Sequence, residues 1–343
     1  MQRKPIRRPT IATMAGDLGV SPATVSYALN DKPGVSPALR ERILAHAREV
    51  GWVPNFGAKA LRLGLTGNIG LVLVRDPEEI SREPYYSSVT AGIESATSAS
   101  GYELLLRFVE GGTAAELDVY RSWAENRRVD GVVLLDLSVD DPRPRALEEL
   151  GMPFAVLGDH GGDERFVKVV TPESSDAQIL VDHVLACGYD ACIQLTGPMR
   201  YGHETRRADL LRELCAEAGL RHVLAEAPYT IAGGTQAFSR IGDLDGARAA
   251  VIASSDLIAL GALREIRSRG IDVPRQMGVI SWDDSLIAEV AAPAITALDR
   301  APFLKGRCAG ELLARLVRNE VEAGTASASG PSTLVPREST GPR

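Results

Sequence analysis

Gly19 to Ile43 reads GVSPATVSYALNDKPGVSPALRERI, and it uses one device twice. Ser21-Pro22 and Ser36-Pro37 each follow a Gly-Val pair and precede a run with helical spacing. A serine hydroxyl at an N-cap accepts from an early backbone N–H, and proline fits the first helical position because its missing N–H had no partner there. The stretch therefore predicts two short helices separated by the loop Asn30-Asp31-Lys32-Pro33-Gly34. Upstream, Thr10 is placed to cap a first helix through Ile11, Met14, Ala15 and Leu18, and Gly19 to end it as a left-handed cap. Val25, Ala28 and Leu29 give the second helix an inner face, and Leu39, Ile43, Leu44 and Ala47 do so for the third. Pro22, Ala23, Ser26 and Tyr27 are left on the outer face of the second helix. Two short helices across a glycine-containing turn, the second polar on its outside, suit a helix-turn-helix.

Charge supports that reading. Residues 1–66 carry ten Lys or Arg against four Asp or Glu, whereas the rest of the chain carries 28 against 41. A basic head on an acidic body points to a polyanion as partner of the head alone. The four cysteines, Cys187, Cys192, Cys215 and Cys308, show no CxxC or framework spacing and read as reduced thiols of a cytosolic protein. The N-terminal stretch has no signal-peptide pattern, and no apolar run approaches the ~18 residues of a membrane span.

Beyond residue 50 the pattern changes twice. Pro54 breaks the third helix, and Asn55 to Leu63 has the length of one marginal helix, too short to hold in water alone. From Asn68 onward short apolar runs (IGLVLV, YELLLRFV, GVVLLDL, PFAVLGD, ACIQLTG, AAVIASS, GVISWDD) alternate with amphipathic helices. That alternation predicts parallel sheets with helices on both faces, and the length predicts two such lobes. STLVPREST near the end reads as an edge strand because of Pro336. The expected organisation is an all-α headpiece over residues 1–53, a linker with a conditional helix over 54–67, and a two-lobed α/β body over 68–343.

With those elements in hand, the N-terminal stretch resembles the lactose/galactose-repressor (LacI/GalR) family of transcription regulators. The resemblance rests on Thr10-Ile11, Gly19-Val20-Ser21, Thr24-Val25-Ser26, Leu29-Asn30, Val35-Ser36, Gly51, Pro54-Asn55, Ala58 and Leu61. It implies a recognition helix in the major groove and paired hinge helices in the minor groove of a pseudo-palindromic operator, bound by a homodimer. Thr10, Ser21, Thr24, Ser26 and Asn30 match positions that bind phosphate or flank the bases. Asn55 and Ala58 match the groove-facing side of the hinge helix. Leu61 matches its apolar wedge, an insertion that unstacks a base step at a cost of roughly a few kcal/mol; packing against the body is the alternative for Leu61. Tyr27 departs from the family, which usually has arginine there. An arginine pairs bidentately with guanine, whereas tyrosine offers one hydroxyl and a ring. Pro22 and Ala23 offer small apolar contacts only.

The resemblance continues through the body, where ASSDLIALGALREIRSRGIDVPRQMGVISWDDS is similar to the periplasmic sugar-binding core of the same family. It implies a small-molecule effector, a sugar or sugar derivative, held between the lobes at the carboxyl ends of the strands. Carried over by position, Tyr85 and Tyr86 in the loop after the first strand, Arg206, Tyr229, Ser255, Asp283 and Arg300 are the candidate effector residues, with Asp140 from the opposite lobe. Each has a plainer alternative: Asp283 as a turn cap, Tyr85 and Tyr229 as ordinary core or surface aromatics, Arg206 in a lobe-to-lobe ion pair. Arg206 and Arg300 together raise an anionic or uronic-type effector. No heptad tail follows Glu320, so a dimer is expected rather than a tetramer assembled by its tail.

Enzyme readings find little purchase. The five histidines carry no HExxH or zinc spacing, and GxSxG, GxxxxGK[ST] and GxGxxG are absent. No metal and no cofactor is expected. A solute receptor of the periplasmic sugar-binding type, with no DNA role, is the alternative that shares the body, but it has no use for residues 1–63.

Overall fold

A computed structural model of the chain describes residues 9–29, 32–52, 65–75, 77–158, 164–242 and 246–342. The chain divides into two compact units, Met1–Gly64 and Leu65–Arg343.

The first unit holds α1 (Ile11–Leu18), α2 (Pro22–Leu29) and α3 (Pro37–Glu49). Their starts follow the expected caps. Thr10 and Thr13 form a reciprocal capping box, with Thr13 N–H donating to Thr10 Oγ1 at 3.1 Å and Thr10 N–H to Thr13 Oγ1 at 2.7 Å. The Thr24 N–H donates to Ser21 Oγ at 3.0 Å and the Leu39 N–H to Ser36 Oγ at 3.4 Å. Gly19 closes α1 at φ +68°, a conformation other residues rarely adopt. The core of this unit is Met14, Ala15, Val25, Ala28, Ile43 and Ala47, with Leu18, Leu29, Leu39 and Trp52 packed at its edge. Leu44 departs from expectation: it is 39% exposed, because Ile43 and Ala47 already fill the inward stripe of α3.

The second unit contains, in chain order, β1 (Asn68–Val74), α4 (Pro77–Arg82), α5 (Pro84–Ala99), β2 (Glu103–Val109), α6 (Gly112–Glu125), β3 (Gly131–Leu134), α7 (Arg143–Glu149), β4 (Phe154–Leu157), β5 (Lys168–Val170), α8 (Glu173–Ala186), β6 (Ala191–Thr196), α9 (Gly202–Glu217), β7 (Arg221–Glu226), α10 (Ile231–Ser239), β8 (Ala249–Ala253), α11 (Asp256–Ser268), β9 (Met277–Ser281), α12 (Leu286–Val290), β10 (Thr296–Asp299), α13 (Pro302–Val317), β11 (Ala326–Ala328) and β12 (Thr333–Val335). They build two six-stranded sheets, ordered β11-β5-β4-β3-β1-β2 and β12-β10-β9-β8-β6-β7. The pairing is parallel except for β12 against β10, the edge strand expected near Pro336.

Parallel strands covered on both faces need apolar residues in both directions. In the first lobe Ile69, Leu71 and Leu73 of β1 point to α5 and α13, while Val72 points to Tyr120 and Trp123 of α6. In the second, Ile193 and Leu195 of β6 face α10 and α11, and Cys192 faces α8 and α9. Helices α5 and α13 meet so closely that a Cβ on Gly92 would lie 2.0 Å from the Phe303 carbonyl oxygen. The apolar runs do not reveal β5, β7, β10 and β11. These strands are short or, like β7 with its exposed-and-half-buried alternation, too polar to show as such runs.

The chain crosses between lobes three times, after β5, after β10 and between β11 and β12. The carboxyl ends of the parallel strands of both lobes face one cleft, and a backbone bridge spans it. Val139 N–H donates to Arg200 O at 3.1 Å and Gly202 N–H to Leu137 O at 2.9 Å.

Candidate functional site

On the first unit, α2 presents an outward face. Ser21, Pro22, Ala23 and Tyr27 are exposed or half-buried at the helix surface, as are Thr24 and Ser26, and Thr10 is exposed at the start of α1. The Ser21 and Thr24 hydroxyls share a hydrogen bond of 2.8 Å, so the polar corner at the helix start is ordered locally. The Tyr27 ring is 45% exposed with the Lys32 ammonium 5.9 Å from its centroid, which places an aromatic face and a cation side by side. Asn30, Asn55, Ala58 and Leu61 lie outside the residues whose surroundings the structure describes.

On the second unit, the cleft centres on a chamber of about 40 Å³ lined by Tyr85, Tyr86, Tyr229, Asp283 and Arg300. A flanking chamber of about 180 Å³ shares Tyr85, Asp283 and Arg300 with it and adds Ser255. Tyr85 and Tyr86 stand in the first turn of α5 rather than in a loop, since Pro84 starts that helix earlier than its apolar pattern does. Ser255 is the N-cap of α11, accepting from the Ile258 N–H at 3.4 Å.

Two candidates fall elsewhere. Asp140 and Arg206 line a separate groove of about 880 Å³, and the Arg206 side chain is 44% exposed. The buried guanidinium is that of Arg207, one residue on, which is 4% exposed and faces the central chamber. One residue along a helix turns a side chain by about 100°. The inward stripe of α9 is Glu204, Arg207, Ala208, Leu211 and Cys215, a spacing visible in the sequence that selects Arg207 over Arg206.

The charged groups of the cleft are three arginines set among five carboxylates. Arg207 lies 3.5 Å from both Glu173 and Glu204. Arg300 pairs with Asp283 and stacks on Tyr85 with its guanidinium carbon 5.0 Å from the ring centroid. Arg75, just past the end of β1, lies 3.0 Å from Glu83 and 3.8 Å from Asp136. With Arg206 outside the chamber and Arg300 held by Asp283, the two cations that favoured an anionic effector are not free to receive one.

Glu204 organises the second-lobe wall. Fully buried, it accepts from Thr196 Oγ1 at 2.7 Å, Ser254 Oγ at 2.6 Å, the Gly197 N–H at 3.0 Å and Tyr229 Oη at 2.6 Å. Burial alone would push its carboxyl up, but His203, Arg207 and Ser254 outweigh that and hold it well below the usual range. The Tyr229 phenol is pushed up by burial and by Glu204, so it donates rather than ionises. Gly197 makes room for that ring, since a Cβ there would sit 2.4 Å from it. Across the cleft, burial pushes the Glu83 carboxyl up to about 8 against the pull of Arg75. Burial with Asp283 nearby pushes Asp256, in the wall of the flanking chamber, to about 7. Sequence reasoning missed Glu83, Asp136 and Glu204; only the helical phase of Glu204 marked any of them. The cleft as built offers phenol faces, hydroxyls and paired carboxylates, the groups that stack on and hydrogen-bond a polyhydroxylated ring. No helix among the described residues is long and apolar enough to cross a membrane.

Residues 10–55 match the family model described as bacterial regulatory proteins, lacI family, and residues 181–340 match that of a periplasmic binding protein-like domain. The HTH-type transcriptional regulator CelR of Thermobifida fusca is 30% identical, over 93% of this chain and 94% of its own length. The HTH-type transcriptional regulator MalR of Streptomyces coelicolor is 29% identical, over 87% of each. The solved complex of the regulator CelR with cellobiose superposes with a TM-score of 0.73 at 28% identity, covering 97% of this chain and 100% of that one. The lac repressor dimer bound to operator and an anti-inducer shares the fold, with a TM-score of 0.75 at 21% identity over 98% and 100% of the two chains. The chain belongs to the LacI family of bacterial regulatory proteins.

Proposed function

We propose that the protein is a sequence-specific transcription repressor whose DNA affinity is set by a neutral carbohydrate bound between its lobes. The observation that carries this is the joining, in one chain, of a helix-turn-helix that exposes Pro22, Ala23 and Tyr27 to a body whose strand ends converge on a tyrosine-lined cleft in which each arginine is held by carboxylates. Two copies on a two-fold axis read a pseudo-palindromic operator. Residues 1–53 are the reading unit, 54–67 the hinge and 68–343 the sensor. In the hinge, Asn55 and Ala58 face the minor groove and Leu61 is the wedge. A coupling of about 1–3 kcal/mol between cleft and headpiece is the ordinary scale for such a switch. The working compartment is the cytoplasm, on the nucleoid when operator is bound, and no catalytic step is part of the function.

Tyr85, Tyr86, Tyr229, Ser255, Asp283 and Arg300 hold the effector, with Arg207 in place of Arg206. Cellobiose is the first ligand to try, because CelR is solved with it. Selection of duplexes by the full-length protein, repeated with cellobiose and with a panel of neutral and acidic sugars, tests the reading. A palindromic consensus whose binding a neutral sugar alters supports it, and a response to acids alone removes the proposed ligand class. Tyr27 sets base preference in the same experiment. Tyr27→Arg is expected to shift the selected base toward guanine at one position of each half-site, a discrimination of about 1–3 kcal/mol. An unchanged consensus would show that Tyr27 reads nothing.

A further inference from the structure

Arg75 reaches from the end of β1 across the cleft, and its guanidinium carbon lies 4.8, 5.6 and 4.5 Å from the ring centroids of Tyr86, Tyr201 and Tyr229. Tyr86 belongs to the first lobe, Tyr201 and Tyr229 to the second. The same guanidinium faces Glu83 and Asp136, and its side chain is 12% exposed. Three aromatic faces within about 6 Å of one cation, with carboxylates beside it, make a cation cage. The cage is filled by the protein itself.

Volume sets the constraint on any effector. The central chamber has about 40 Å³ of room, near that of a single water and too little for a sugar ring. A wider chamber of about 380 Å³ has Arg75 in its wall and shares Tyr86 and Asp136 with the central one. Moving the Arg75 side chain would widen that chamber toward Tyr86 and Tyr229, whose rings also line the central one. It also bares three phenol faces and two carboxylates, the groups that stack on a pyranose and accept from its hydroxyls.

We propose that Arg75 is a resident competitor: the effector enters by expelling its guanidinium from the tyrosine cage, and effector affinity is limited by how seldom the cage is vacant. This rests on the carbohydrate reading above for the effector, but not for the cage. A ligand that binds only the vacant form has its apparent affinity reduced by the vacant fraction.

The test uses the full-length protein and its Arg75→Ala and Arg75→Gln variants. In calorimetric titrations with cellobiose, both variants are expected to bind at least about tenfold more tightly than the parent, or to bind where the parent does not. Weaker binding by both would make Arg75 an effector ligand instead and overturn the proposal. Thermal unfolding with millimolar guanidinium chloride tests the cage separately, with urea as control. Guanidinium is expected to raise the midpoint of Arg75→Ala and not that of the parent, and equal or no response in the two would overturn the cage. Rescue by guanidinium with no binding of cellobiose or of any neutral sugar in the panel by any form would uphold the cage and defeat the carbohydrate reading.

Discussion

Replacing Glu204 with alanine is expected to cost about 3–5 kcal/mol of stability, the scale for removing one member of a buried ionic network. The carboxylate is fully buried and accepts from Thr196, Gly197, Ser254 and Tyr229. Without it four donors lose their acceptor, and the Arg207 guanidinium, 4% exposed, keeps Glu173 as its ion-pair partner. Glu204→Gln preserves the shape but removes the charge and one acceptor oxygen, and the Tyr229 hydroxyl must turn from donor to acceptor, so it is expected to cost about 1–3 kcal/mol. Because Tyr229 is oriented by this carboxylate, the glutamine variant should also bind its effector more weakly while its headpiece still binds nonspecific duplex. Urea unfolding of the three proteins checks the first part. A loss below about 1 kcal/mol for the alanine variant, under the scale of a single buried hydrogen bond to a charge, would mean that the network contributes little and that the tyrosine is held by packing.

The second large effect belongs to Lys305, in the first turn of α13 where the chain has just crossed between lobes. Its side chain is 1% exposed and its Nζ has no hydrogen-bond partner among the described residues. Burial, with Arg300 adding to it and Asp176 pulling the other way, lowers the ammonium from 10.5 to about 7. Above the unfolded value both states carry a neutral amine and the burial cost is absent. As pH falls from there through 7 the unfolded chain takes up a proton that the folded chain refuses, and stability is lost at about 1.4 kcal/mol per pH unit. Below about 7 both states are protonated and the loss is complete. Lys305→Met removes this dependence. The variant's advantage over the parent is therefore expected to be greatest near neutral pH and to shrink by about 1.4 kcal/mol per unit as pH rises to about 9 or 10. Denaturant curves for both proteins across that range measure the difference, and parallel pH profiles would contradict it.

Much of this architecture is written in local signals. Ser21, Ser36 and Thr10 announce helix starts because capping is a contact within three residues, and Gly19 announces an end because few other residues adopt its backbone. The apolar runs of β1, β6, β8 and β9 are legible because both faces of those strands are covered. The edges are less so: β7 alternates with solvent, and β11 has three residues. In the cleft, Tyr85, Tyr86, Tyr229, Ser255, Asp283 and Arg300 are brought around adjoining chambers. Arg206 missed by one residue, which on a helix decides between cleft and surface. Asp140 missed by four residues: Asp136, at φ +50°, carries the carboxylate that enters the cleft. Arg75 and Glu83 were beyond sequence reading for a different reason. Their meaning lies in partners from another element or the opposite lobe, and pairing at that distance leaves no periodicity in the chain.

The central claim is that one chain reads a particular duplex and that a sugar in its cleft changes how tightly. Equilibrium binding of the full-length protein to its selected duplex and to random duplex, at fixed salt, with and without cellobiose and its neutral relatives, tests it most directly. The selected site is expected to be preferred by at least about 10³-fold. One neutral sugar should shift that affinity by roughly 5- to 150-fold, the span of about 1–3 kcal/mol of coupling, and a protein lacking residues 1–67 should bind neither duplex. Equal grip on both duplexes, undiminished by that truncation and indifferent to every sugar, would contradict the account.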